Sequence, residues 1–155
     1  MTDSPFTPWL SRTLGEWTSE RRYVYFTPRG PVNQIITTHF SLTNPEGNKY
    51  KVEWESYPHK DGRPAERAMT GEMNLILQGH ELQRDIGYFT EAQTYQLLSY
   101  VDEDTVVFRT SYDGQRYREE IRLLEDDKVR LRQTVGHEID TGRMVLAGQY
   151  IETLN

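Results

Sequence analysis

The stretch TVVFRTSYDGQRYREEIRLL, residues 105–124, decides the fold class. Two runs rich in β-branched and aromatic residues, 105–112 and 116–124, flank the dipeptide Asp113-Gly114. That dipeptide is among the strongest short-range signals for a two-residue hairpin turn. Working outward, similar runs recur at roughly 8–12 residue intervals, the spacing of a sandwich or barrel. They cover 128–135 and 143–152 on one side, and 94–101, 82–89, 68–78, 49–57, 34–42 and 21–27 on the other. Turn chemistry punctuates them at Asp61-Gly62 with Pro64, at Asp102-Glu103-Asp104 and at Thr141-Gly142. The clearest alternation is in 49–57, where Tyr50, Val52 and Trp54 share one face and Lys51, Glu53 and Glu55 the other. Ahead of the strands, residues 5–15 carry Phe6, Trp9, Leu10 and Leu14, the spacing of a short amphipathic helix with Gly15 as its stop. The reading is mostly β: about ten antiparallel strands after one short helix, in a single domain over 1–155. Ten meandering strands curl until they close, and closure removes exposed edges, so an up-and-down barrel is expected ahead of a β-sandwich.

Composition narrows the function. The chain has 155 residues, 35% of them apolar and 12% aromatic with ten tyrosines, enough for a folded domain with a polar surface. A net charge of −6 opposes nucleic-acid binding, which needs a basic field, but leaves room for a local cationic pocket. No cysteine is present, so disulfides, thiolate metal sites and a thiol nucleophile are excluded. No apolar run approaches the roughly 18 residues that span a bilayer, and no membrane role is expected. Met1 to Pro5 lack the pattern of a secretory signal, which points to the cytoplasm or a plastid stroma. His39, His59, His80 and His137 show no metal-site spacing, and no metal is expected.

Chemistry concentrates on two neighbouring strands. In 116–124 one face carries Arg116, Arg118, Glu120 and Arg122. In 128–135 one face carries Arg130, Arg132 and Thr134, and the other Val129, Leu131 and Val135. If residues 125–127 form the connecting loop, Glu120 lies opposite Arg132 and Arg122 opposite Arg130, on one face of the sheet. The commoner fate of such a face is solvation, where cross-strand Arg–Glu pairs contribute little. The alternative turns the arginines inward to line a cavity, where guanidinium forks suit carboxylates. Arg21, Tyr23 and Tyr25 pose the same choice, and Trp54 is either core or a stacking wall for a flat conjugated ligand.

Gly15-Glu16-Trp17-Thr18-Ser19-Glu20-Arg21-Arg22-Tyr23 resembles the N-terminal signature of the S/U-type bilin lyases, the CpcS/CpeS family. So, in order, do Ser111-Tyr112-Asp113-Gly114, Arg118-Glu119-Glu120-Ile121-Arg122, Arg130-Leu131-Arg132-Gln133-Thr134-Val135 and Gly148-Gln149-Tyr150-Ile151-Glu152. The resemblance implies a lipocalin-like barrel related in shape to fatty-acid-binding proteins. It implies binding of a free phycobilin, phycocyanobilin or phycoerythrobilin, and its attachment as a thioether to a cysteine of a phycobiliprotein α or β subunit. A non-catalytic carrier barrel for a bilin or another hydrophobic acid is the alternative. A homodimer, or a heterodimer with a paralogous lyase subunit, stays open. By resemblance the functional residues fall on Arg21, Glu120, Arg130 and Arg132, with Glu152 and Trp54 as further positions and Tyr23 beside Arg21. The arginines would hold propionates, and Glu120 would accept hydrogen bonds from pyrrole nitrogens or order the arginines.

Overall fold

The computed structural model describes residues 4–85 and 94–155. One helix, α1 (Thr7–Arg12), precedes strands β1 (Gly15–Thr27), β2 (Gly30–Glu46), β3 (Lys49–Lys60), β4 (Arg63–Pro64), β5 (Met69–Gln78) and β6 (Glu81–Arg84). After them come β7 (Thr94–Asp102), β8 (Thr105–Tyr112), β9 (Gln115–Leu124), β10 (Val129–Glu138) and β11 (Met144–Leu154). Ten of these form a closed antiparallel ring in which each strand pairs with its neighbour in sequence, and β11 returns to β1 from Trp17↔Leu154 to Tyr25↔Leu146. The two residues of β4 are an appendage on β3. This is the expected barrel, with the sandwich alternative eliminated by the β1–β11 closure.

Local chemistry sets the turns. Asp113 and Gly114 both take positive φ, 51° and 72°, the geometry of a two-residue hairpin turn, and Tyr112 pairs with Gln115 across it. Strand β1 begins six residues earlier than the expected 21–27. Its inward positions Trp17, Ser19 and Arg21 mix large, small and charged side chains, so no simple apolar alternation announces it. Gly15 is not the helix stop. Thr13 ends α1, its Oγ1 donating to the Leu10 carbonyl at 2.7 Å, and Gly15 opens β1. The run expected at 82–89 is found as Glu81–Arg84, and positions 86–89 lie outside the described residues.

Helix α1 closes one end of the barrel. Phe6, Trp9 and Leu10 bury against an apolar layer that includes Leu42, Met73, Leu75, Leu98, Phe108 and Ile121. The helix is latched to the turns at that rim. Trp9 Nε1 donates to the Asp104 carbonyl at 3.0 Å, and Arg12 reaches Asp104 at 2.6 Å and Asp127 at 2.8 Å. The far end is lined by Tyr23, Tyr117, Tyr150 and Leu146, with Tyr25 and Tyr112 packed beside them. Trp9 is 2% exposed, so Trp9→Ala should remove a large buried surface and leave a cavity. Urea unfolding should show a loss of about 3–5 kcal/mol. Val135→Thr, on the outer wall, should stay within about 0.5 kcal/mol of the parent.

Candidate functional site: a buried arginine–glutamate network

The arginines of β10 face the barrel interior, and the turn before them is the reason. Residues 125–128 form the connection, with Glu125, Asp126 and Asp127 at φ of 52°, 54° and 65°, so that Leu124 pairs with Val129. The sequence pattern allows three loop residues. The fourth, Lys128, shifts the register by one, and a one-residue slip exchanges the faces of a strand. Glu120 therefore pairs with Gln133 rather than Arg132, on the outer wall, where its carboxylate lies 3.5 Å from Arg118. Arg116, Arg118 and Arg122 are exposed on that same outer face. The inward carboxylate of β9 is Glu119, directly opposite Thr134.

Glu152 is the hub, with 0% exposure. Its Oε1 lies 3.1 Å from Arg130 Nε, and its Oε2 lies 3.3 Å from Arg132 Nη1 and 3.8 Å from Arg21 Nη2. The pairing dictates this convergence, because Arg130 faces Glu152 across β10–β11 and Ser19 faces it across β1–β11. Arg21 Nε donates to Ser19 Oγ at 3.0 Å. Arg132 also donates to Glu119 Oε2 at 2.9 Å, which accepts a further bond from Thr134 Oγ1 at 3.0 Å. Aromatic rings hold the guanidinium planes. Arg21 and Arg132 lie 4.9 and 4.8 Å from the centre of the Tyr150 ring, and Arg130 lies 5.3 Å from Trp17 and 5.4 Å from Phe40.

Burial alone would push the Glu152 carboxyl up, but Arg132, Arg130 and Arg21 outweigh it and hold it below the usual carboxylate range. Glu119 is held down likewise, burial being overcome by Arg132 and then Arg84. The Tyr150 phenol, raised chiefly by burial, stays protonated. Among the described residues, the buried charged groups are four arginines, Arg21, Arg84, Arg130 and Arg132, against two carboxylates, Glu119 and Glu152. The interior thus carries an excess of positive charge in a protein whose net charge is −6.

A cavity of about 70 Å³ adjoins this network, its lining including Phe40, Met73 and Phe108 as well as Arg84, Gln96, Glu119, Arg130 and Arg132. A larger concavity of about 640 Å³ lies over β1, β2, β3 and β5, but Glu16, Glu53, Glu55 and Glu72 on its lining oppose an anionic ligand. The charged interior is therefore the better candidate. Of the residues expected from the sequence, the structure brings together Arg21, Arg130, Arg132 and Glu152. Tyr23 borders them through an edge contact with Tyr150 at 5.2 Å. Trp54 packs against the apolar layer and so closely over Gly71 that a Cβ there would clash with its ring. Glu120 is apart from the set. Sequence reasoning missed Glu119, Arg84 and Gln96. Arg84 and Gln96 each lie two positions from an inward leucine, Leu82 and Leu98, which is the signal that places them inside.

Fold and interior together define a closed up-and-down β-barrel built around a buried, cation-rich ionic network. The chain belongs to the CpeS-like protein family, whose model matches residues 31–154. It is 27% identical to a Picosynechococcus protein that bears the name chromophore lyase CpcV, over 97% of this chain and 81% of that one. It is 28% identical to a Nostoc protein named as phycocyanobilin lyase CpcS 2, over 97% of this chain and 91% of that one. Among solved structures, the S-type phycobiliprotein lyase CPES from Guillardia theta superposes with a TM-score of 0.69 at 14% identity, covering 96% of this chain and 91% of that one. A Mycobacterium tuberculosis protein shares the fold at a TM-score of 0.60 and 10% identity, covering 99% of both chains.

Both carboxylates hold their charge below the usual range, so the unfolded chain takes up these protons first as the pH falls. Their contribution is complete above the unfolded value of about 4.3 and is lost as pH drops through it towards the folded values. Glu152→Gln should cost about 3–5 kcal/mol at neutral pH by leaving buried guanidinium groups underpaired. Urea titrations from pH 6 downward should also show a shallower acid loss in that variant than in the parent. An unchanged acid slope would remove Glu152 from the role of hub.

Proposed function

We propose that this protein binds a phycobilin in its arginine-lined interior and attaches it to a cysteine of a phycobiliprotein subunit. The observation that carries the reading is the interior charge: four buried guanidinium groups face two carboxylates, which suits a ligand bearing two propionates. Membership of a family whose relatives are named as chromophore lyases supports the choice of bilin over other dianions. Phycocyanobilin and phycoerythrobilin both satisfy that chemistry. The cavity of about 70 Å³ is far smaller than the roughly 300–1,000 Å³ of ligand pockets, so binding requires interior side chains to move aside.

The chain has no cysteine, so the thiol belongs to the client. In the proposed step, the client sulfur bonds to the exocyclic carbon of the ring-A ethylidene group. The thiol proton ends on the adjacent ring carbon, so the addition has no leaving group and no oxidant. Arg130, Arg132 and Arg21 orient the propionates, the tyrosine-lined end flanks the conjugated chain, and the enclosed wall limits stray addition by water. Glu119 and Glu152 are tied to arginines and Tyr150 keeps its proton, so positioning rather than proton transfer by the barrel is the main contribution. The same observation favours the carrier as the second reading. The two differ in whether transfer to the client outpaces spontaneous attachment and yields a single product.

Arg132→Lys keeps the charge but loses the planar fork. It should fold, and it should slow formation of the covalently coloured client subunit by about tenfold, the scale of one charge-assisted contact. Glu120→Gln, on the outer wall, should transfer within about twofold of the parent, since exposed ion pairs are worth little. Normal transfer by Arg132→Lys, measured as zinc-enhanced fluorescence of the client on denaturing gels, would contradict this placement.

A further inference from the structure

Gln96 stands out on the interior wall. It projects inward from β7, is 3% exposed, and lines the cavity shared with Arg84, Glu119, Arg130 and Arg132. Its Oε1 is buried without a hydrogen-bond partner. A buried amide oxygen left unsatisfied costs free energy, whereas an apolar side chain of the same size would not. The network beside it offers almost nothing but donors. Arginine has no acceptor, and Glu119 and Glu152 are ion-paired to guanidinium groups, although Glu152 Oε1 also lacks a hydrogen bond. A ligand carrying its own N–H donors would therefore find at Gln96 a neutral acceptor that also faces the cavity.

We infer that Gln96 recognises a terminal lactam ring of the bilin, an inference that rests on the function proposed above. A lactam presents an N–H and a C=O side by side, and a primary amide presents the complementary pair. The two meet through parallel hydrogen bonds, the ligand N–H donating to Oε1 and Nε2 donating to the ligand carbonyl. The pairing holds whichever way the amide is turned, because rotation exchanges the two atoms. The arginines then read the propionates in the middle of the tetrapyrrole, and Gln96 reads one end of it. Both terminal rings are lactams, so this contact anchors whichever end lies at Gln96 and adds a fixed point that the propionates on the central rings do not supply.

The test uses Gln96→Met, which keeps the volume and removes the polar atoms. Three readings are taken on the full chain with phycocyanobilin: melting temperature without ligand, affinity by absorption titration, and the lactam carbonyl stretches of the bound pigment by infrared difference spectroscopy. The expected result is an unchanged or higher melting temperature, affinity lower by about tenfold, and one lactam carbonyl band moved to higher frequency. Unchanged affinity with an unchanged band would overturn the inference, as would a lowered melting temperature with an unchanged band, which marks a structural role. Failure of the parent protein itself to bind the pigment would instead overturn the function on which the inference rests.

Discussion

Glu152 is the constraint on which the interior depends. A carboxylate with no solvent exposure is sustained chiefly by the three guanidinium groups that converge on it, and it is in turn their shared counter-charge, with Glu119 a second partner for Arg132. Three strands meet through this group, since Arg21 comes from β1, Arg130 and Arg132 from β10, and Glu152 from β11. These are the strands whose pairing closes the barrel. The closure that abolishes the sheet edge and the assembly of the charged interior are therefore one event.

Such a network is a weak source of stability, because apolar residues of similar volume fill a core at least as well. Its position adds to the puzzle. On β10 the usual pattern is inverted, with Arg130, Arg132 and Thr134 inside and Val129, Leu131 and Val135 outside. An inverted wall that gains little stability is what the proposed ligand site requires. The apolar layer under α1 supplies the packing that the charged layer does not, so the molecule separates the two tasks along the barrel axis.

Much of this was legible in the sequence. The Asp113-Gly114 hairpin, the alternation of Tyr50, Val52 and Trp54, and the even spacing of β runs gave ten strands and their order. The arginines at 130 and 132 and the carboxylate at 152 were identifiable as candidates. The inward facing of β10 was not, because periodicity assigns faces only relative to one another and apolar residues ordinarily decide which face is buried. The expected register of Glu120 opposite Arg132 differs from the observed one for a local reason. Glu119 and Glu120 are adjacent carboxylates of equal chemical promise, and one extra turn residue, Lys128, selects between them. Arg84 and Gln96 lay on short or weakly patterned strands whose inward positions carry mixed polarity, so their spacing from Leu82 and Leu98 was the one signal that placed them inside.

The central claim is that the cationic interior exists to hold the two carboxylates of its ligand. The most direct measurement compares the affinity of the unmodified protein for phycocyanobilin and for its dimethyl ester, which keeps the conjugated skeleton and removes both charges. Removing two charge-assisted interactions at once should weaken binding by more than roughly a hundredfold. Equal affinity for acid and ester would contradict the account, and would leave the buried arginines as partners of Glu119 and Glu152 alone.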